Sequence, residues 1–174
     1  MKNIIIQTSR LTLREFIPED ATHMYLLNSD AEVIGFTGDE PFKNVDEARL
    51  MIENYRQYED YGYGRWTVSM NATEEYLGWC GLNHHEGKNE TDLGFRFLRK
   101  HWGKGLATEA AMACVQYAFT TLGLTKIIGR AMKENTASIR ILEKVGMSFE
   151  KEFEAHGGIC VQYSINRPLI AKVD

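Results

Sequence analysis

The chain has 174 residues, a length that suits one domain, residues 1–174, with a hydrophobic core of its own. A net charge of −4 argues against general binding to nucleic acid or to an anionic membrane, because either partner would repel the chain on average. The three cysteines, Cys80, Cys114 and Cys160, lie far apart in apolar surroundings, and we expect buried thiols in a reducing, cytoplasmic compartment. The apolar run at residues 4–6 is too short for a signal peptide.

Hydrophobic patterning predicts seven strands and four helices, in the order β-α-α-β-β-β-α-β-α-β-β. This order favours an α/β (α+β) fold, in which a mixed, mostly antiparallel sheet is flanked by helices. Pro18 is expected to open the first helix, and Asn135 and Gly146 to begin and end the last one. The predicted strands cover residues 11–16, 65–70, 76–82, 92–98, 126–132, 148–155 and 159–166, and the other two helices cover residues 47–59 and 106–123.

The segment "KHWGKG" (100–105) places two glycines between a predicted strand and a predicted helix. Such a helix start presents unpaired backbone N–H groups and the positive end of the helix dipole, which together suit a phosphate. The P-loop pattern GxxxxGK[ST] fails, because Thr108 stands where its second glycine would be. The dinucleotide pattern GxGxxG is half met and lacks its run of βαβ units. A third phosphate-binding pattern, [Q/R]xxGxG/A, fits with Lys100 at its first position.

The stretches "DLGFRFLRKHWGKGLATEA" and "ENTASIRILEKVGM" resemble the GNAT superfamily of acetyl-CoA-dependent N-acetyltransferases, specifically its RimJ/RimL-like branch. The resemblance runs through nearly the whole chain in the expected order. It implies a GNAT-type sheet of about seven strands, whose fourth strand is kinked by a bulge and splays from the fifth. It also implies that acetyl-CoA is a cosubstrate, with its pantetheine arm in the gap.

The resemblance assigns the cosubstrate-binding residues. The arm would bond the main chain near Phe97, Leu98 and Arg99, and Asn135 would contact the cosubstrate as well as cap its helix. Lys104 either contacts phosphate or is solvated. The diphosphate would lie on the backbone amides of Gly103, Lys104, Gly105, Leu106, Ala107 and Thr108.

Many members of the family use a tyrosine acid at the position where this chain has Leu142, so the resemblance leaves the proton donor open. The branch carries an NxxS pattern, so Ser138 either donates a hydrogen bond to the sulfur or is an ordinary surface residue of the first helical turn. Asp92 is either a general base or a strand-edge carboxylate. His84 and His85, after the third predicted strand, are further candidate bases or polar loop residues, and His156 is another candidate.

The resemblance implies direct attack of a primary amine, protein N-terminal or small-molecule, on acetyl-CoA in a ternary complex. No metal is expected, because no ligand set has suitable spacing. A CoA-binding protein with little turnover and a transferase of another acyl group remain alternatives. The last strand, residues 159–166, is either an edge for a homodimer or is covered by its own hairpin.

Overall fold

The computed structural model describes residues 3–168 and contains an eight-stranded sheet with helices on both faces. The sheet order is β1-β2-β3-β4-β5-β6-β8-β7, and every neighbouring pair is antiparallel except β5 and β6. The strands are β1 Ile4–Gln7, β2 Leu11–Arg14, β3 Arg65–Met70, β4 Tyr76–His85, β5 Glu90–Phe97, β6 Lys126–Met132, β7 Ser148–Ala155 and β8 Gly158–Asn166. The helices are α1 Ala21–Ser29, α2 Ala31–Ile34, α3 Val45–Glu53, α4 Gln57–Tyr61, α5 Leu106–Thr120 and α6 Thr136–Lys144.

Two buried clusters join the helices to the sheet. The larger packs α5 and α6 against one face, where α5 presents Ala110, Ala111, Cys114 and Ala118 at helical spacing. The smaller packs α1, α2 and α3 against the other face, next to Trp79 of β4. No helix within residues 3–168 is long and apolar enough to cross a membrane.

The sequence missed one strand. β1 pairs antiparallel with β2, so the sheet has eight strands where about seven were predicted. The run of three isoleucines shows no alternation of apolar and polar residues, and its pairing follows from tertiary contact. The predicted helix over 47–59 is divided into α3 and α4, because the chain leaves the helical path at Asn54. Pro18 opens a short 3-10 turn, Pro18–Asp20, that leads into α1.

The last strand is not an edge. β8 pairs with β6 on one side and with β7 on the other, so its own hairpin covers it and β7 forms the border of the sheet. Charged side chains are frequent in β7, whose sequence is SFEKEFEA. Charges on a border strand oppose pairing with another chain.

The central feature of the sheet is the separation of β5 from β6. β5 and β6 pair only at Asp92↔Ile128 and Leu93↔Gly129, beyond which the two strands part. The predicted splay is therefore present. The predicted bulge is absent on the β4 side, because β5 keeps one register with β4 from His85↔Glu90 to Gly78↔Phe97. β5 and β6 therefore pair at two positions and then diverge, and no residue is inserted in β5 at the point of divergence.

Candidate active site

The glycine segment takes the conformation that its residues predict. Gly103 and Gly105 have φ of 72° and 73°, in the left-handed region that glycine enters without steric penalty. A Cβ at Gly103 would meet nothing within 4 Å, and one at Gly105 would meet only Arg10 Nη2 at 3.7 Å. α5 begins after Gly105, which has no side chain to cap it. The amides of Leu106, Ala107 and Thr108, in the first turn of the helix, are therefore uncapped and lie beside this open space. The arrangement suits an anionic group.

The β1–β2 turn anchors this loop, a feature that the sequence did not reveal. Glu109, in the first turn of α5, accepts hydrogen bonds from Thr8 Oγ1 at 2.6 Å, from Ser9 Oγ at 3.2 Å and from Arg10 Nε at 2.6 Å. Arg10 Nη1 also donates to the Lys104 carbonyl at 3.1 Å. Burial acts to raise the pKa of Glu109, but these hydrogen bonds lower it on balance. The ionised carboxylate thus fixes the loop to the edge of the sheet.

Backbone groups face the separation between β5 and β6. The Leu98 N–H donates to the Leu77 carbonyl at 2.8 Å, which fixes the hydrogen-bond alternation between β5 and β4. The alternation directs the N–H groups of Phe95 and Phe97 away from β4 and toward β6. The Phe97 carbonyl accepts from Trp102 Nε1 at 2.8 Å. Two donors therefore line the opening where no neighbouring strand pairs with them.

Leu98 does not fit its predicted role. Its N–H is bonded to Leu77, and its carbonyl accepts from the His101 N–H at 2.9 Å. Both main-chain groups of Leu98 are therefore engaged within the protein. Phe97 offers a main-chain donor to the opening, and Arg99 follows in the next 3-10 turn.

The N-terminus of α6 follows the open end of β6. Asn135 caps the helix as predicted, and its Oδ1 accepts from the Ser138 N–H at 3.1 Å. Ser138 is half-buried and shares a helix face with Leu142, four residues on. Leu142 is buried, and its Cδ2 lies 2.5 Å from where a Cβ on Gly129 would be. The side chain at the tyrosine position therefore packs onto β6 and has no proton to give.

Asp92 lies at the closed end of the opening, in an ion-pair cluster. Its Oδ2 is 2.8 Å from Arg65 Nη2, and its Oδ1 is 2.9 Å from His85 Nε2. The cluster needs Gly94, because a Cβ there would lie 2.6 Å from Arg65 Cζ. Burial acts to raise the pKa of Asp92, but the charge of Arg65 and the hydrogen bond from His85 lower it to about 2. Asp92 is thus ionised at neutral pH, and neither of these contacts was predicted from the sequence.

His84 points away from Asp92. Successive side chains of a strand lie on opposite faces, and His84 packs against Tyr61 with its Nδ1 3.3 Å from Thr91 Oγ1. This is the face that α5 covers, where Cys80 of the same strand meets Cys114. The structure therefore does not bring His84 and Asp92, two of the predicted bases, together.

We expect acid to weaken the contribution of Asp92 to stability. A lowered carboxyl pKa stabilises the fold above the ordinary value of 3.8, and this stabilisation is lost as the pH falls toward about 2. The shift corresponds to about 2 kcal/mol. Asp92→Asn should therefore lower the free energy of unfolding at pH 7, and the difference from wild type should narrow below pH 4. Urea unfolding from pH 7 to pH 2.5 measures both. A difference that stays constant over this range would contradict the assigned ion pair.

Two depressions have the size of a ligand site. One, of about 530 Å³, borders the glycine loop and is lined in part by Gly105, Thr108 and Lys144. The other, of about 510 Å³, lies near Asp20 and Tyr76, on the half of the sheet that carries β2 and β3. The second is separate from the β5–β6 opening, and its buried carboxylate already has an arginine partner. The depression that borders the glycine loop runs along α5, with Ser9 and Lys144 at its sides.

Comparison with known proteins decides the family. A family profile described as "Acetyltransferase (GNAT) domain" matches residues 10–148. The chain belongs to the GNAT acetyltransferase family. It is 37% identical over 149 residues to the uncharacterized N-acetyltransferase p20 of Bacillus licheniformis, covering 84% of this chain and 83% of that one. Spermidine N(1)-acetyltransferase of Escherichia coli is 29% identical over 141 residues, with coverages of 80% and 74%.

The fold agrees with this assignment. A crystal structure of a GNAT-family acetyltransferase from Bacillus anthracis superimposes with a TM-score of 0.82 at 26% identity, covering 96% of this chain and 99% of that one. As a GNAT acetyltransferase, the protein transfers an acetyl group from acetyl-CoA to an amine. The cysteines of this acetyltransferase, Cys80, Cys114 and Cys160, are buried as predicted. Burial raises the pKa of the Cys114 thiol and so disfavours the nucleophilic thiolate.

Proposed function

We propose that this acetyltransferase binds acetyl-CoA across the β5–β6 opening and the N-terminus of α5. The observation that carries the proposal is the uncapped first turn of α5, with open space at Gly103 and Gly105. The diphosphate would accept hydrogen bonds from the amides of Gly103 to Thr108, and Lys104 would supply a point charge. The pantetheine arm would add to the free edge of β5 as a strand does, with main-chain contacts at Phe97 and Arg99.

The thioester end of the arm would lie near the closed end of the opening. Residues 94–97 of β5 extend for about 13 Å at the usual strand rise, a span that an extended arm can follow. The N–H group of Phe95, the nearer of the two unpaired donors to the closed end, is the one that would stabilise the oxyanion as the amine attacks, and the N–H group of Phe97, two residues further along the strand, is left for the arm. Loss of one such donor typically costs about 3–4 kcal/mol of transition-state stabilisation.

The leaving thiolate would meet α6. Asn135 would contact the cosubstrate through its amide, and Ser138 would donate a hydrogen bond to the sulfur. The half-buried position of Ser138, on the face of α6 that carries Leu142, supports this role. Direct attack in a ternary complex needs no acyl-enzyme, in keeping with the buried cysteines.

The acceptor is a primary amine, and a small polyamine is the first to test. The relative named spermidine N(1)-acetyltransferase supports a small-molecule amine. The NxxS pattern at Asn135 and Ser138 supports the RimJ/RimL-like branch and hence the alternative of a protein N-terminus. A single domain over residues 1–174, a cytoplasmic location and a homodimer are parts of this proposal.

Amine-dependent release of CoA tests the function. Purified protein is incubated with acetyl-CoA and, in parallel, with spermidine, single amino acids, or peptides with free and with blocked N-termini, while free thiol is measured. We expect thiol release that needs one class of amine, and a product that mass spectrometry identifies as its acetamide. Binding of acetyl-CoA without release for any amine would favour the alternative of a CoA-binding protein. Release from succinyl-CoA in preference to acetyl-CoA would favour another acyl group.

A further inference from the structure

The closed end of the opening carries a histidine that the mechanism above does not use. His85 ends β4 directly after His84, and its Nε2 lies 2.9 Å from Asp92 Oδ1. It stands on the face of the sheet that carries Trp79 and faces α1 and α3, because residues two apart on a strand share a face. Its side chain is 40% exposed, against 12% for Asp92. The imidazole is thus held by a buried carboxylate and remains open to solvent.

Asp92 itself is a poor acceptor for the proton of an amine. With a pKa of about 2, its carboxyl group would release any proton it received at neutral pH. An ionised carboxylate only accepts hydrogen bonds, so the contact with His85 requires the hydrogen to lie on Nε2. This leaves Nδ1 as the unprotonated nitrogen of a neutral imidazole. The arrangement has the form of a base oriented by a carboxylate, as in other His–Asp pairs.

We propose that His85 is the general base of the acetyl transfer, with Asp92 and Arg65 as positioning residues, an inference that rests on the proposed function. His85 Nδ1 takes one proton from the acceptor ammonium, directly or through water. The neutral amine nitrogen then forms a bond to the thioester carbon, and the C–S bond breaks. The remaining ammonium proton of the intermediate goes to the departing thiolate to give CoA. The imidazolium returns its proton to solvent.

The charges around His85 are already paired. Glu90 stands opposite His85 in the register of β4 and β5, and it pairs with Arg130 of β6 at 2.6 Å. Asp92 pairs with Arg65 of β3 at 2.8 Å. Glu86 follows His85 in the chain, in the 3-10 turn after β4. Each of the two arginines, Arg130 and Arg65, therefore already faces a carboxylate.

His84 provides a matched comparison, because it is the adjacent histidine on the opposite face. The test measures kcat and KM against pH for wild type, His85→Gln and His84→Gln, with acetyl-CoA and spermidine, or with whichever amine of the panel gives turnover. We expect His85→Gln to lower kcat about 100-fold at pH 7. The difference in kcat between His85→Gln and wild type should shrink as the pH approaches the pKa of the amine, because more of the amine is then already neutral and needs no base. His84→Gln should keep the wild-type profile, and calorimetry should give the same Kd for acetyl-CoA in all three proteins.

Two results would overturn the inference while the proposed function stands. One is a wild-type pH profile and rate for His85→Gln. The other is a uniform loss at every pH together with weaker acetyl-CoA binding, which would assign His85 a structural role. Asp92→Asn further separates a catalytic role of the His85–Asp92 pair from a structural one. If Asp92 positions His85, this variant should shift the pH dependence of kcat and leave the Kd of acetyl-CoA unchanged. Absence of amine-dependent turnover in wild type would instead reject the proposed function, and the role of His85 with it.

Discussion

We expect Gly105→Trp to weaken acetyl-CoA binding at least about 100-fold, or about 2.7 kcal/mol. A side chain at this position projects into the open space beside the first turn of α5, where the diphosphate is proposed to lie. Calorimetric titration of the folded variant with acetyl-CoA measures the loss directly. The variant must first be compared with wild type by circular dichroism, because a non-glycine residue at a φ of 73° is itself strained.

Gly123→Trp is the matched control for this experiment. Gly123 follows the other end of α5, has a φ of 68°, and would place its Cβ in equally open space. The backbone strain, about 1–2 kcal/mol, is therefore similar in the two variants. Only the Gly105 variant should lose affinity. Equal affinities in both variants and wild type would show that the glycine segment is a turn and no part of the cosubstrate site.

The second large effect concerns stability. Arg14 and Asp20 form a buried two-bond ion pair, with both N–O distances at 2.7 Å, that ties β2 to the turn before α1. Thr67 Oγ1 and the Ile17 N–H also donate to Asp20 Oδ2. Removing one member of such a pair leaves the other charge buried and alone. We expect Arg14→Met to lower the free energy of unfolding by about 3–5 kcal/mol.

Two further variants test this explanation. Arg14→Met combined with Asp20→Leu should be less destabilising than Arg14→Met alone, because the double change removes the stranded carboxylate. Arg56→Met breaks pairs with Glu59 and Asp60, but the Arg56 side chain is 66% exposed, so it should cost less than about 1 kcal/mol. Urea unfolding at pH 7 measures all of them. A double variant less stable than Arg14→Met would contradict the account of a stranded charge.

Local signals in the sequence predicted the parts of the site that depend on local chemistry. The two glycines of residues 103–105 predicted an open helix start after a strand, and the structure has open space and positive φ at both. Asn135 caps α6 because its side chain reaches an amide three residues on, a contact that needs no tertiary partner. The burial of the three cysteines follows from their apolar neighbours in the same way.

The rest of the site depends on strand register, which the sequence does not display. Arg65, His85 and Asp92 come from three strands, and they meet only because β4 places them on one face in the right alignment. The sequence also does not show which face of the sheet His84 occupies. In the structure this predicted base lies on the face opposite Asp92. The engagement of Leu98 with Leu77, and of Arg10 with Glu109, likewise joins residues distant in the chain. Patterns along one segment carry no information about such pairs.

Amide hydrogen exchange with and without acetyl-CoA tests the central claim, that the cosubstrate occupies the β5–β6 opening and the start of α5. The uncapped amides of Leu106 to Thr108 and the unpaired N–H groups of Phe95 and Phe97 should exchange fast in the free protein. We expect acetyl-CoA to protect both sets, and to leave exchange around Asp20 and Tyr76 unchanged. Protection confined to the depression near Asp20 and Tyr76, with none at residues 95–108, would contradict the account.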